Sequence, residues 1–120
     1  MTGGGSGSDE EFFALLDDAY ARSILVETRE NPRSAEALSE AIDASESTVY
    51  RRIERLRERD LLEGEQRLDP DGHHYEVYHA RLERATIELT GDGFVVAIDR
   101  TEATDPADRF TELYEELSSE

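Results

Sequence analysis

Residues 34–59, SAEALSEAIDASESTVYRRIERLRER, constrain this chain more than any other segment. They contain two short helical patterns with almost nothing between them, so the chain must turn sharply and lay one short helix against another. In the second pattern Val49, Ile53 and Leu56 recur at spacings of four and three, which aligns them on one face of a helix. Ser47, Arg51 and Arg55 point away from that face, with Tyr50 and Arg52 on its flanks. In the first pattern Leu38 and Ile42, four apart, mark the inward side. Ser34 and Ser45 each stand where an N-cap belongs, and Asp43-Ala44 is left as the tight connection.

A helix held by an apolar stripe while it offers hydroxyls and guanidiniums outward suits the major groove of DNA. Arg51, Arg52, Arg55, Arg57 and Arg59 are five of the thirteen basic residues in a chain of net charge -17, so the local excess is not background. A plain solvated face is the alternative, because Arg51 with Glu54, Glu54 with Arg57 and Arg55 with Glu58 are spaced i,i+3. Glu54 and Glu58 lie further along, however, which leaves Arg51 and its hydroxyl neighbours unbalanced at the amino end.

All thirteen basic residues are arginine, against thirty acids spread along the whole chain. Heat-adapted proteins are rich in lysine, so its absence points elsewhere. Screening over a few ångströms in a salt-loaded cytoplasm removes most self-repulsion, and carboxylates keep such a surface soluble. The acidity is therefore expected to reflect habitat rather than partners. At 120 residues one domain with a modest core is expected. The lack of cysteine excludes disulfides, cysteine-type zinc sites and thiol chemistry. No apolar run reaches membrane-spanning length, and MTGGGSGSDEE has neither the basic nor the apolar region of a signal peptide, so a cytoplasmic protein is expected. No glycine-rich phosphate loop, HExxH or placeable Ser-His-Asp set supports catalysis, and no cofactor is expected.

Residues 1–8 read as a flexible tail. A helix over 9–16 carries Phe12, Phe13, Leu15 and Leu16; Asp17 or Asp18 then caps a helix to about Thr28, with Tyr20, Ala21, Ile24 and Leu25 as its stripe. Asn31-Pro32 is a turn. Leu61 and Leu62 close the arginine-bearing helix against the core. Strands over 63–68 and 73–79 flank the turn Asp69-Pro70-Asp71-Gly72. A second hairpin pairs 82–89 with 94–98 across Thr90-Gly91-Asp92-Gly93. In it Ala85, Ile87 and Leu89 alternate with Arg84, Thr86 and Glu88, predicting one buried and one wet face. Asp105 and Pro106 open a terminal helix with Phe110, Leu113, Tyr114 and Leu117 as a narrow stripe.

The order helix, helix, turn, helix, hairpin, with AxxxAxxxSxSTVYRRIxxL from Ala37 and the tip DPDGHHY, resembles the ArsR-like winged helix-turn-helix transcription regulators. The likeness runs from about Leu15 to about His79 and is greatest to the small acidic versions of halophilic archaea. Two departures stand out: Asp43 occupies the turn position where many such proteins have glycine, and the cysteine ligands of the metal-sensing branch are missing. The resemblance implies a winged helix-turn-helix over 9–82; with the additional C-terminal β-hairpin and terminal helix that the pattern gives over 83–120, expected to dimerise, the fold class is α+β. It implies that 45–59 form the recognition helix. Ser47, Thr48, Tyr50 and Arg51, near its capped start at Ser45, would reach base edges, with Arg51 forked onto a guanine. Arg52 and Arg55 would meet phosphates, Ser34 would present helix-end amides to a phosphate, and Arg67, His73 and His74 would touch the neighbouring groove or backbone from the wing.

Three histidines within seven positions invite a metal reading, but His73 and His74 point to opposite strand faces, so none is expected. Phe110, Leu113, Tyr114 and Leu117, joined by Phe12 and Phe13, suit an isologous homodimer contact. The expected partners are double-stranded DNA, a second copy and the basal transcription machinery, with no membrane. A winged helix used purely for protein interaction is the alternative.

Overall fold

The computed structural model describes residues 7–101. Helices α1 (Gly7–Asp17) and α2 (Ala19–Arg29) precede a two-residue strand β1 (Arg33–Ser34). Next come α3 (Ala35–Ile42), α4 (Glu46–Glu58), β2 (Leu62–Leu68), β3 (His74–Ala80), β4 (Leu82–Thr90) and β5 (Gly93–Arg100). One antiparallel sheet has the order β1-β3-β2, and β4 with β5 makes a separate two-stranded sheet. This is the expected α+β winged helix-turn-helix with an added hairpin. The expected terminal helix lies outside the described residues. Among these residues no helix is long and apolar enough to cross a membrane.

Helices α2, α3 and α4 each start where a short polar side chain can replace a missing intrahelical acceptor. Asp18 accepts from the Ala21 amide at 3.0 Å, Ser34 from Ala37 at 3.1 Å and Ser45 from Thr48 at 3.2 Å. The connection between α3 and α4 turns through Asp43 at φ 54°, a left-handed conformation that an aspartate tolerates. Ser39 closes it by donating to the Ala44 carbonyl at 2.5 Å. At the far end of α4, Asp60 takes φ 57° while the Leu61 amide reaches back to the Leu56 carbonyl at 2.9 Å and the Asp60 amide to Arg57 at 3.0 Å. Leu56 and Leu61 are fully buried beside this pair of bonds, so α4 ends in a Schellman motif with its apolar contact.

The core gathers one stripe from every helix. Phe12 and Leu15 of α1, Ala21 and Ile24 of α2, Leu38 of α3, and Val49, Ile53 and Leu56 of α4 meet Leu61, Leu62 and Tyr78. Each fully buried large side chain contributes roughly 1.5–3 kcal/mol relative to exposure. The helix spacings predicted these residues with two exceptions on α2. Tyr20 is 40% exposed, and Thr28 is buried instead, its hydroxyl satisfied by the Ile24 carbonyl at 2.7 Å. Burial of Thr28 follows from the stripe continuing one turn beyond Ile24.

Strand β1 was invisible to pattern reading because two residues show no alternation. It pairs Arg33 with Tyr78 and Ser34 with Val77, making β3 the central strand. Val77 and Tyr78 on it are both buried although they point to opposite faces. The added hairpin departs from expectation. The register pairs Ala85 with Ile98, Ile87 with Val96 and Leu89 with Phe94, so six apolar side chains share one face. Only the end nearest the body is covered: Ala85, Val96 and Ile98 pack against the core, while Ile87, Leu89 and Phe94 are 47%, 72% and 53% exposed.

Candidate nucleic-acid interface

Helix α4 is held on three sides, by α2, α3 and β2, and its opposite face is solvent-exposed. At its amino end Ser45, Ser47 and Thr48 form a hydroxyl cluster. The Ser45 hydroxyl lies 3.0 Å from that of Thr48 and 3.2 Å from that of Ser47. Arg51, one turn on, approaches the Thr48 hydroxyl at 3.5 Å. Ser45, Ser47, Tyr50 and Arg51 are exposed and Thr48 is half-buried. The structure thus brings these five side chains together on one accessible surface.

The five arginines of this region divide sharply. Arg52 donates to Asp18 on α2 at 2.7 Å and lies 5.8 Å from the centre of the Tyr20 ring. Arg55 stands 4.0 Å from the same carboxylate. Arg57 pairs with Glu76 of β3 at 3.6 Å and Arg59 with Glu11 of α1 at 3.4 Å. None of the i,i+3 pairs within α4 forms among the described residues, because the guanidiniums reach across to other elements instead. Arg51 alone of the five has no acidic partner among the described residues. Arg52, expected at a phosphate, is first a clamp between α4 and α2, its side chain 22% exposed.

Asp18 is central to that clamp. Burial by itself pushes its carboxyl up, but the Ala21 amide, the hydrogen bond and charge of Arg52, and the Tyr20 amide outweigh burial and hold it below the ordinary carboxylate range. Glu76 plays a similar part for the wing. It lies across Gly64, where a β-carbon would run into its carboxylate, and reaches both Arg57 and the Tyr78 hydroxyl, which donates to it at 2.9 Å. Burial, then the bond to Glu76 and its charge, push the Tyr78 phenol far above its ordinary range. Neither Asp18 nor Glu76 could be matched to its arginine from sequence, since 34 residues separate Asp18 from Arg52.

The wing is the β2–β3 hairpin. Asp69 folds its tip by accepting from the amides of Asp71 and His73, both at 2.9 Å, and Gly72 turns the chain at φ 87°. His73 and His74 are exposed there; His73 faces Asp69 at 3.5 Å and Arg67 faces Glu65 at 3.6 Å. Leu68 and Tyr75, not singled out in the sequence, are also exposed on this arm, at 62% and 42%. One ligand-capable atom each from Asp69, Asp71 and His73 lies within 4.8 Å of the others, a grouping created by the turn itself. Ser34 sits away from α4 as the cap of α3, its hydroxyl engaged with Ala37.

Of the residues expected at a dimer contact, Phe12 is corrected: at 1% exposure it belongs to its own core and has no surface left for a partner. Phe13 is half-buried and meets Phe94 edge-on at 6.3 Å. Phe110, Leu113, Tyr114 and Leu117 lie outside the described residues.

A family model described as a helix-turn-helix domain matches residues 16–65, from the end of α1 into β2. The match spans α2, α3 and α4, with Arg51 and its hydroxyl neighbours inside it. Among curated proteins no match was found. Over residues 16–65 the chain is thus similar to a helix-turn-helix domain, which supports a DNA-binding regulator.

Proposed function

With a helix-turn-helix whose second helix carries an exposed arginine with no acidic partner among the described residues as the premise, we propose a sequence-specific transcription regulator. It is of the ArsR-like haloarchaeal kind and binds double-stranded DNA as a homodimer in a high-salt cytoplasm. The observation that carries this reading is Arg51: exposed, free of carboxylate partners among the described residues, and set beside the Ser45, Ser47 and Thr48 hydroxyls. A guanidinium fork matches the two acceptors of guanine in the major groove. Ser47, Thr48 and Tyr50 take neighbouring base edges. Ser34 and the α3 amides meet a phosphate, Arg55 supplements it, and Arg67, His73 and His74 approach the flanking backbone from the wing.

One arginine free of acidic partners among the described residues is a thin basis for affinity, which is a reason for two copies. Two recognition helices on half-sites roughly 34 Å apart double the contacts. The dimer then blocks or recruits the basal transcription machinery by occupying promoter DNA. Counterion release supplies little affinity in molar salt. Base contacts and shape must carry more of it, and Glu46 and Glu54 beside the contact surface take up cations on binding, flattening the salt dependence.

The test is selection from random duplexes in molar potassium chloride, by the unaltered chain and by Arg51→Ala. A palindromic motif with half-sites one turn apart, retained by the parent and lost by the folded variant, is the expected result. No retention by the folded parent at any salt concentration would end the DNA reading in favour of a protein-interaction module.

A further inference from the structure

The β4–β5 hairpin presents the main continuous apolar face that the described residues leave open. Ile87, Leu89 and Phe94 lie on it side by side, continuous with the covered Ala85, Val96 and Ile98. The other exposed large apolar residues are scattered over α2, α4, the wing and, as Val95, the opposite face of β5. A two-stranded sheet alone is marginally stable in water and needs a further layer on its apolar face. The chain itself continues from the base of this hairpin, where the Thr101 amide bonds the Arg81 carbonyl at 2.7 Å. Beyond it, Phe110, Leu113, Tyr114 and Leu117 recur at i, i+3, i+4 and i+7.

We propose that this stripe of one copy docks on the hairpin face of a second copy, the two chains exchanging their terminal segments reciprocally. The inference rests on the homodimer reading above and names its contact. Dimensions agree: the stripe read as a helix is about 10 Å long, and the face from Ala85 to Leu89 runs about 13 Å. The nine steps from Thr101 to Phe110 reach at most about 30 Å, enough to cross to a neighbouring molecule packed against the same hairpin. The area of two such contacts is also enough for a dimer. A covered large apolar side chain removes on the order of 100 Å² from water, so one docked stripe with its face accounts for on the order of 700 Å². Specific interfaces need about 1,200 Å² or more, which two symmetric contacts supply and one does not. A stripe folded onto its own hairpin would use up this face and leave a dimer no comparable apolar surface among the described residues. Phe13, edge-on to Phe94, borders the face and ties it to α1.

The chain contains no cysteine, so introduced thiols are the only ones present. Full-length Leu89→Cys and Leu113→Cys chains, mixed in molar potassium chloride and oxidised, are expected to give a disulfide-linked heterodimer. The double variant is expected to give linked dimers. Leu89 is 72% exposed, so its replacement leaves the fold intact. A bridge within single chains of the double variant would overturn exchange. Light scattering of the unaltered chain separates the two readings. A dimer lacking any 89–113 cross-link overturns the docking surface alone, and a monomer at all concentrations overturns the dimer and the exchange together.

Discussion

Replacing Arg52 by alanine separates two neighbouring arginines that a sequence treats alike. The Arg52 guanidinium donates to Asp18 at 2.7 Å, with the two side chains 22% and 16% exposed. A hydrogen bond to a charged group of this kind contributes about 1.5–3 kcal/mol. The contact with the Tyr20 ring at 5.8 Å adds about 0.5–1 kcal/mol. The expected loss for Arg52→Ala is therefore roughly 2–4 kcal/mol, and alanine also leaves the largely buried Asp18 without its cation. For a domain of this size each kcal/mol shifts Tm by about 4–8 °C, so the variant should melt roughly 10–30 °C below the parent. Arg51→Ala should stay within about 0.5 kcal/mol, because it removes no such partner. Thermal unfolding followed by circular dichroism, in low and in molar potassium chloride, measures both. A half-buried pair is screened only weakly, so the gap should persist in high salt. If Arg52→Ala melted with the parent, or if a double-mutant cycle with Asp18→Asn showed no coupling, the clamp would be ornamental and this reasoning wrong.

The same pair makes stability depend on acidity: the Asp18 carboxyl is lowered in the folded state, so its contribution is present above the unfolded pKa and lost as pH falls through the folded one. The Tm difference between the parent and Asp18→Asn should accordingly shrink on acidification and be unchanged between neutral and mildly alkaline pH. Asp43→Gly, at φ 54°, should raise stability by a few tenths to about 1 kcal/mol in denaturant unfolding, because glycine enters the left-handed region without a β-carbon; a loss would show that Asp43 makes a compensating contact. Gly64→Ala should displace the Glu76 carboxylate from Arg57 and Tyr78 at a cost of about 1 kcal/mol, and the same change should cost little more once Glu76 is already alanine. In an alkaline absorbance titration, Tyr78 should stay protonated through the ordinary phenol range and ionise only on unfolding.

The helix-turn-helix was legible because its signals are local. Ser34, Ser45 and Asp18 cap the helices they were expected to cap. Val49, Ile53 and Leu56 are buried as their spacing required, and Asp69-Pro70-Asp71-Gly72 turns the wing. The hydroxyl-and-arginine surface at the start of α4 was equally readable, since exposure there follows from helical phase. What misled was range. Phe12 and Phe13 are adjacent and chemically alike, yet one is core and the other faces Phe94, a difference fixed by where α1 crosses the hairpin. The hairpin's alternation predicted a buried face, but alternation states only which side chains share a side, not whether anything covers them.

By itself, then, the sequence determined the elements, their caps and turns, the buried stripes and the surface that leads α4, because each depends on neighbours within a turn or a strand. Only the tertiary structure decided which arginines remain available. Arg52, Arg55, Arg57 and Arg59 meet carboxylates that are near in space and distant along the chain, and Arg51 is left facing outward. Electrostatic partners are chosen by distance through space, and that distance exists only after the core has brought α1, α2 and β3 against α4.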